Sequence, residues 1–284
     1  VIKFEYKTKV IDNQMIKYIL YRYRSQKLTA LEFFFINGRS MLFDFAPLTS
    51  DEIMSKIIEK ENIEKIFPNI KICGSSDIIG LINASNIVKE WRKRDISNLE
   101  FLLKLNILCG RSYHDPENYI ILPWVVNEKN QFRNLNLPIA AQTKEKIEYY
   151  RHMLQINKNN PDGAYVFGSA PSSAMLLAYY LVRQQPFKEL HCQIHDGHLD
   201  SKERLFYSLD NFFSGLNKSD ESRESIPEFY SMPEAFYQFD SEAELKTLEL
   251  PKWGGSIFEY IYLNKKHIES DEVSAHLNQW IDLI

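Results

Sequence analysis

Cysteine is scarce. Cys73, Cys109 and Cys192 are odd in number, far apart and in no C-x-x-C spacing, so neither a disulfide framework nor a zinc knuckle follows, and a reducing compartment is the default. Glycine is scarce as well, with ten residues and neither a G-x-x-x-x-G-K-S/T nor a G-x-G-x-x-G pattern, which leaves no phosphate-cradling loop. A dominant charge sign is missing: 34 Lys+Arg stand against 38 Asp+Glu, a net charge of −4. That weighs against nucleic acid as a partner, since such affinity comes from neutralising phosphates. Long apolar runs are absent too. The longest, Ala174 to Val182, falls well short of the ~20 residues that a spanning helix needs, and no leader pattern opens the chain. What is there is core material: 284 residues, 44% hydrophobic and 13% aromatic, enough for one large domain or two ordinary ones. The expectation is a soluble cytoplasmic chain, and its start at Val1 without Met suggests a piece of a longer one.

Residues 1–45 read as strands. Ile16 to Arg22 alternates imperfectly, and the aromatic runs Leu28 to Ile36 and Met41 to Phe45 flank Asn37-Gly38, a strong hairpin signal. Thr49-Ser50-Asp51-Glu52 is a capping box ahead of the helical stripe Ile53, Met54, Ile57, Ile58. Turn composition at 68–78 suggests a linker. Beyond it helices are expected near 98–108, 144–155, 172–183, 201–213, 257–267 and 271–282. Three further capping boxes, at Ser97, Asp200 and Ser256, open apolar runs. The run Leu99 to Leu108 is apolar nearly all round, the mark of a buried helix, and Val273, Leu277, Trp280 and Ile281 form a stripe on the last helix.

Cys109 to Thr143 keeps neither the strand nor the helix period, yet it carries Tyr113, Tyr119 to Leu122, Trp124 to Val126 and Phe132, too apolar for a solvated loop. Buried irregular backbone must find side-chain partners for its peptide groups. Asn106, Arg111, Asp115, Asn118, Arg133 and Gln142 are the candidates.

The sharpest catalytic temptation is His191-Cys192-Gln193-Ile194-His195-Asp196-Gly197-His198-Leu199-Asp200. Imidazoles and carboxylates could hold zinc or iron. Pro186 and Gly197 argue against one helical face, and no H-E-x-x-H is formed, so a loop leading into a helix capped by Asp200 is preferred. Gly168-Ser169-Ala170 is no nucleophile elbow, and Ser172 to Met175 lacks the lysine of S-x-x-K. Lys89 to Asp95 is read as a solvated helix end, although Trp91 and Arg94 are expected to look inward. Asn217 to Ser225 reads as an exposed, mobile loop.

Several ordered segments carry a resemblance. Trp91-Arg92-Lys93-Arg94-Asp95-Ile96-Ser97-Asn98, Asn106, Gly110-Arg111-Ser112-Tyr113-His114-Asp115 and Leu122-Pro123-Trp124 come first. Phe167-Gly168, Tyr180-Leu181-Val182-Arg183, Gly197-His198-Leu199-Asp200, Ile226-Pro227-Glu228-Phe229, Leu250-Pro251-Lys252-Trp253 and Glu269 to Ile284 follow in order. Together they resemble the BEACH domain, named for beige and Chediak–Higashi proteins, over 79–284. Arg22-Tyr23 and Leu28 to Phe33, with the hairpin and helix after them, are similar to the end of the PH-like domain that precedes BEACH domains. Ser169-Ala170-Pro171 and Asn134 to Gln142 depart from the family pattern.

The resemblance implies an α+β chain: an incomplete PH-like β-barrel with its C-terminal helix at 1–67, a linker at 68–78, and a mainly helical BEACH domain with an irregular extended core at 79–284. It implies a non-enzymatic scaffold or adaptor without a cofactor or metal, acting through protein partners in vesicle trafficking, lysosome-related organelles or autophagy. Such a module associates peripherally with endomembranes and is followed by a WD40 domain in the parent chain. Arg22 and Glu32 match positions that dock the PH-like part onto the BEACH part. Trp91, Arg94, Asn98, Asn106, Arg111, Asp115 and Trp124 are expected as buried polar and core motif residues. Two alternatives stand: a metal-dependent hydrolase built on His191, His195 and His198, and phosphoinositide binding through Lys17, Arg22 and Lys27.

Overall fold

The computed structural model describes residues 2–3, 8–9, 13–61, 71–73, 78–128, 131–161, 171–201, 204–216, 223–239 and 245–284. The chain divides into two compact units, Val1–Val88 with Ile107–Gly110, and Lys89–Asn106 with Arg111–Ile284.

In the first unit β1 (Ile2–Lys3) pairs antiparallel with β2 (Thr8–Lys9). A four-stranded sheet follows, built from β3 (Ile16–Arg24), β4 (Lys27–Phe35), β5 (Ser40–Asp44) and β6 (Lys71–Cys73) in the order β5-β4-β3-β6. The first three strands run antiparallel, β6 lies parallel to β3, and among the described residues the sheet stays open. Most of the expected linker lies outside the described residues, but Lys71–Cys73 within it is a strand. Ser25 and Gln26 join β3 to β4 with φ of +46° and +64°; two positive φ values match the twist of a tight hairpin turn. Asn37-Gly38 turns β4 into β5 as its composition suggests, Gly38 taking φ +81°. Alternation sends Ile19, Leu31, Phe33 and Phe35 to one face, where they pack with Met54, Ile53, Ile57 and Ile58 of α1 (Ser50–Glu61). The Thr49 capping box that starts α1 forms in full: Thr49 N donates to Glu52 Oε2 at 2.7 Å, and Glu52 N donates to Thr49 Oγ1 at 3.3 Å.

After α2 (Ile78–Ser85) and α3 (Ile87–Arg92), the second unit is mainly helical. Its elements are α4 (Asn98–Leu108), β7 (Val126–Glu128), β8 (Gln131–Phe132), α5 (Lys144–Ile156), α6 (Ala174–Tyr180), α7 (Phe187–Ile194), α8 (Leu209–Leu216), α9 (Glu228–Ser231), α10 (Ile257–Ile268) and α11 (Asp271–Leu283). Helices α4, α5, α10 and α11 stand where the periodicity and caps put them, and Ser256 and Glu259 close a complete capping box. Trp124 lies at the centre of the core, its ring 5.3–6.2 Å from those of Tyr180, Phe212, Phe213 and Phe229. Aromatic pairs at such separations add to area burial.

Four expectations are corrected. The helix placed at 201–213 starts only at Leu209, because Tyr207 to Leu209 runs beside Glu249 as extended backbone. Pro186 does not break the histidine segment but precedes the first turn of α7, where a missing N–H costs nothing. The run at Leu99–Leu108 is half-buried rather than enclosed: Asn98, Phe101, Leu102 and Asn106 are the buried residues of α4. The loop read as exposed at Asn217 to Ser225 lies outside the described residues up to Ser222, and of the rest Glu224 and Ser225 are fully buried.

Candidate functional site

Tyr119 to Val126 is buried without regular structure apart from the start of β7, and its peptide groups can be followed one by one. Arg111 Nη1 donates to Tyr119 O at 2.9 Å and to Ser172 Oγ at 2.7 Å. Asn106 brackets Ile121, accepting from its N–H at 3.1 Å and donating to its carbonyl at 3.0 Å, while the same amide group donates to Leu102 O. Leu122 exchanges two backbone bonds with Ser225. The Tyr230 hydroxyl donates to Pro123 O. Trp124 N donates to Glu224 Oε2 at 3.3 Å, and Val125 O accepts from Arg133 N at 3.1 Å. Further along, Gln142 donates to the carbonyls of Asn134, Leu137 and Pro138 and accepts from Asn134 N. A compact amide or guanidinium thus replaces the missing ladder.

Glu224 is the node of this frame. Both of its oxygens accept from Arg133 Nη1 and Nη2, each at 2.8 Å, in a bidentate pair that is 2–3% exposed. Sequence reading missed Glu224 because a lone glutamate in a mixed-charge run has no period, and its partner is 91 residues away. Asp115 is buried, accepting from Glu117 N and from Asn118 Nδ2, so it shapes its own turn.

A second frame ties α4 to the junction of α10 and α11. Trp91 stacks on Phe101 at 4.6 Å and donates through Nε1 to Asn98 Oδ1. Asn98 Nδ2 donates to Ile268 O and Ser274 Oγ. The first amides of α4, those of Asn98 and Leu99, donate to the Glu269 carboxylate at 2.7 and 3.0 Å, so a distant anion caps the helix where its dipole is positive. Arg94 is corrected. It is 74% exposed, ion-paired at the surface with Asp271, and at φ +62° it is the left-handed residue after α3. The bonds Arg94 N to Trp91 O and Asp95 N to Glu90 O complete a Schellman stop.

In the first unit Arg22 Nε donates to Glu32 Oε2 at 2.6 Å, both residues being buried. They sit on diagonal positions of β3 and β4, facing away from α1. Glu32 also accepts from Ser40 Oγ. With its charge spent on Glu32, Arg22 is not presented to a phosphoinositide headgroup, whereas Lys17 and Lys27 are exposed.

The histidine cluster does not converge. His191 and His195 stack at 4.3 Å, His195 Nδ1 lies 2.8 Å from His191 O, and Asp200 lies 3.4 Å from His195 Nε2. Stacked rings aim their lone pairs in parallel rather than at one point, and no group of three His, Cys, Asp or Glu that could hold a metal occurs among the described residues. Burial, with His195 second and opposed by Asp200, lowers the His191 pKa. Burial raises the Glu228 carboxyl although Tyr119 Oη donates to it at 2.5 Å, and it holds the Tyr119 hydroxyl far above its usual range.

Openings lie in the second unit between described residues. One, of about 480 Å³, lies between α11 and residues 132–136; another, of about 440 Å³, lies around Trp91–Asn98, Glu269 and Ser274. No helix among the described residues is long and apolar enough to cross a membrane.

An α+β chain whose larger unit wraps helices around irregular backbone pinned by side chains is a distinctive class of domain. The sequence profile of the Beige/BEACH domain matches residues 89–284, and the chain belongs to the BEACH family. It is similar to BEACH domain-containing protein lvsE of Dictyostelium discoideum, with 29% identity over 97% of this chain and 13% of that protein. It is similar to BEACH domain-containing protein B of Arabidopsis thaliana, with 32% identity over 90% of this chain and 11% of that protein. WD repeat- and FYVE domain-containing protein 4 of Mus musculus is 33% identical over 90% of this chain and 9% of that protein. The chain thus spans about a tenth of the length of these relatives.

Proposed function

We propose that this chain is a non-catalytic scaffold or adaptor module of a large BEACH protein, working through protein partners in vesicle trafficking, lysosome-related organelle or autophagy processes. The observation that carries the reading is how the conspicuous polar side chains are used. Asn98, Asn106, Arg111, Asp115, Arg133, Gln142 and Glu224 satisfy backbone or one another; they build a rigid body, which suits presentation of a surface. The first unit serves as the end of a PH-like domain. The WD repeats in the name of the mouse relative support propeller repeats in the parent chain, and contact with endomembranes is peripheral and mediated by the partner.

Immobilised chain should retain one cytosolic protein saturably, displaced by free chain, and should float with liposomes only when that protein is added. Direct flotation with phosphoinositide liposomes, or turnover of an ester or phosphoester panel that stops with His195→Ala, would overturn the reading.

A further inference from the structure

The opening between α11 and residues 132–136 is built like a peptide groove. We propose that it docks a short extended segment of a partner protein carrying a lysine or arginine; this rests on the adaptor reading above. Its volume of about 480 Å³ falls in the ordinary range of ligand sites. Val125, Leu135 and Val273, all buried, supply an apolar floor, and Asn134, Asn136, Glu272, His276 and Gln279 form the rim. Asn136 and Gln279 hold no side-chain hydrogen bond among the described residues. Each carboxamide offers a donor beside an acceptor, the complement of a peptide group.

Charge selects the segment. Arg133 lines the groove, but both of its Nη groups are committed to Glu224 at 2.8 Å, so its charge is already balanced. Glu272 is 60% exposed, and among the described residues it is ion-paired with His276 at 3.5 Å, a residue that balances it only when protonated. The rim therefore presents one available negative charge, which favours a basic side chain over an acidic one. Both walls are fixed beforehand. Ser270 Oγ accepts from Val273 N at the start of α11, and Gln142 holds Asn134 N at 2.8 Å, so little ordering is required on binding.

The test uses fluorescence polarisation of the full chain with labelled, end-capped tetrapeptide pools carrying fixed lysine or fixed glutamate at the third position. Binding of the lysine pool below about 1 mM is expected, roughly fivefold tighter than the glutamate pool. Glu272→Lys should reverse the preference, and Asn136→Ala with Gln279→Ala should weaken both pools while circular dichroism shows the fold unchanged. No binding of the lysine pool, or equal binding by E272K, overturns the groove. If the immobilised chain still retains its partner protein in that case, the groove alone has failed; if it retains none, the adaptor reading fails with it.

Discussion

Asn106 shows what one residue does here. Its amide serves both peptide groups of Ile121 and adds a bond to the carbonyl of Leu102, so Asn106→Ala leaves the two buried peptide groups of Ile121 without that partner, while Leu102 O keeps its helical bond. At about 1–3 kcal/mol for each such group, part of it recovered by water, a loss of about 3 kcal/mol is expected in urea unfolding. Glu228 sets a pH dependence. Because burial raises its carboxyl, the folded state holds that proton more tightly than the unfolded state does. Stability is therefore complete below the ordinary carboxyl value of 4.5 and falls as pH rises through the elevated one. Glu228→Gln, still able to accept from Tyr119, should raise the melting temperature at pH 7–8 and lose that advantage towards pH 4; an equal gain at all pH values would refute the assignment. Asn106, Arg111 and Gln142 were legible as keepers of the irregular backbone, because polar side chains amid buried aperiodic sequence have few other uses. Glu224 was not, since its environment comes from Arg133, Trp124 and Tyr180, all distant in sequence.

At the scale of elements, caps within four residues of their helix were readable and caps from elsewhere were not. Thr49 and Ser256 form their boxes as the spacing requires. At α4 the local half appears, Glu100 N donating to Ser97 Oγ at 3.1 Å, but Glu100 turns to Lys104 and Glu269 takes the free amides instead. Glu269→Ala should cost about 1 kcal/mol, as much as losing a local cap. Arg94→Ala should cost less than about 1 kcal/mol, the ordinary worth of an exposed pair. A larger loss at Arg94, read from the denaturation midpoint, would show that it contributes beyond its surface contact with Asp271.

Over the whole molecule, each compact unit has a buried Arg–Glu pair among its described residues, Arg22–Glu32 in the first and Arg133–Glu224 in the second. Removing one member strands the other charge, typically at ~3–5 kcal/mol, whereas replacing both by apolar residues restores much of the loss. Glu32→Ala and Glu224→Ala should each follow that pattern, with Arg22→Met/Glu32→Leu and Arg133→Met/Glu224→Leu recovering. The sequence by itself determined the class of the fold, the positions of α4, α5, α10 and α11, the aperiodic buried stretch and membership of the BEACH family, because periodicity, local caps and ordered motifs are written along the chain. Only the tertiary structure decided which charges are buried. Glu224 was taken inside, Arg94 was left in water and the histidines were stacked rather than gathered, since burial is settled by what meets a side chain from far away in sequence.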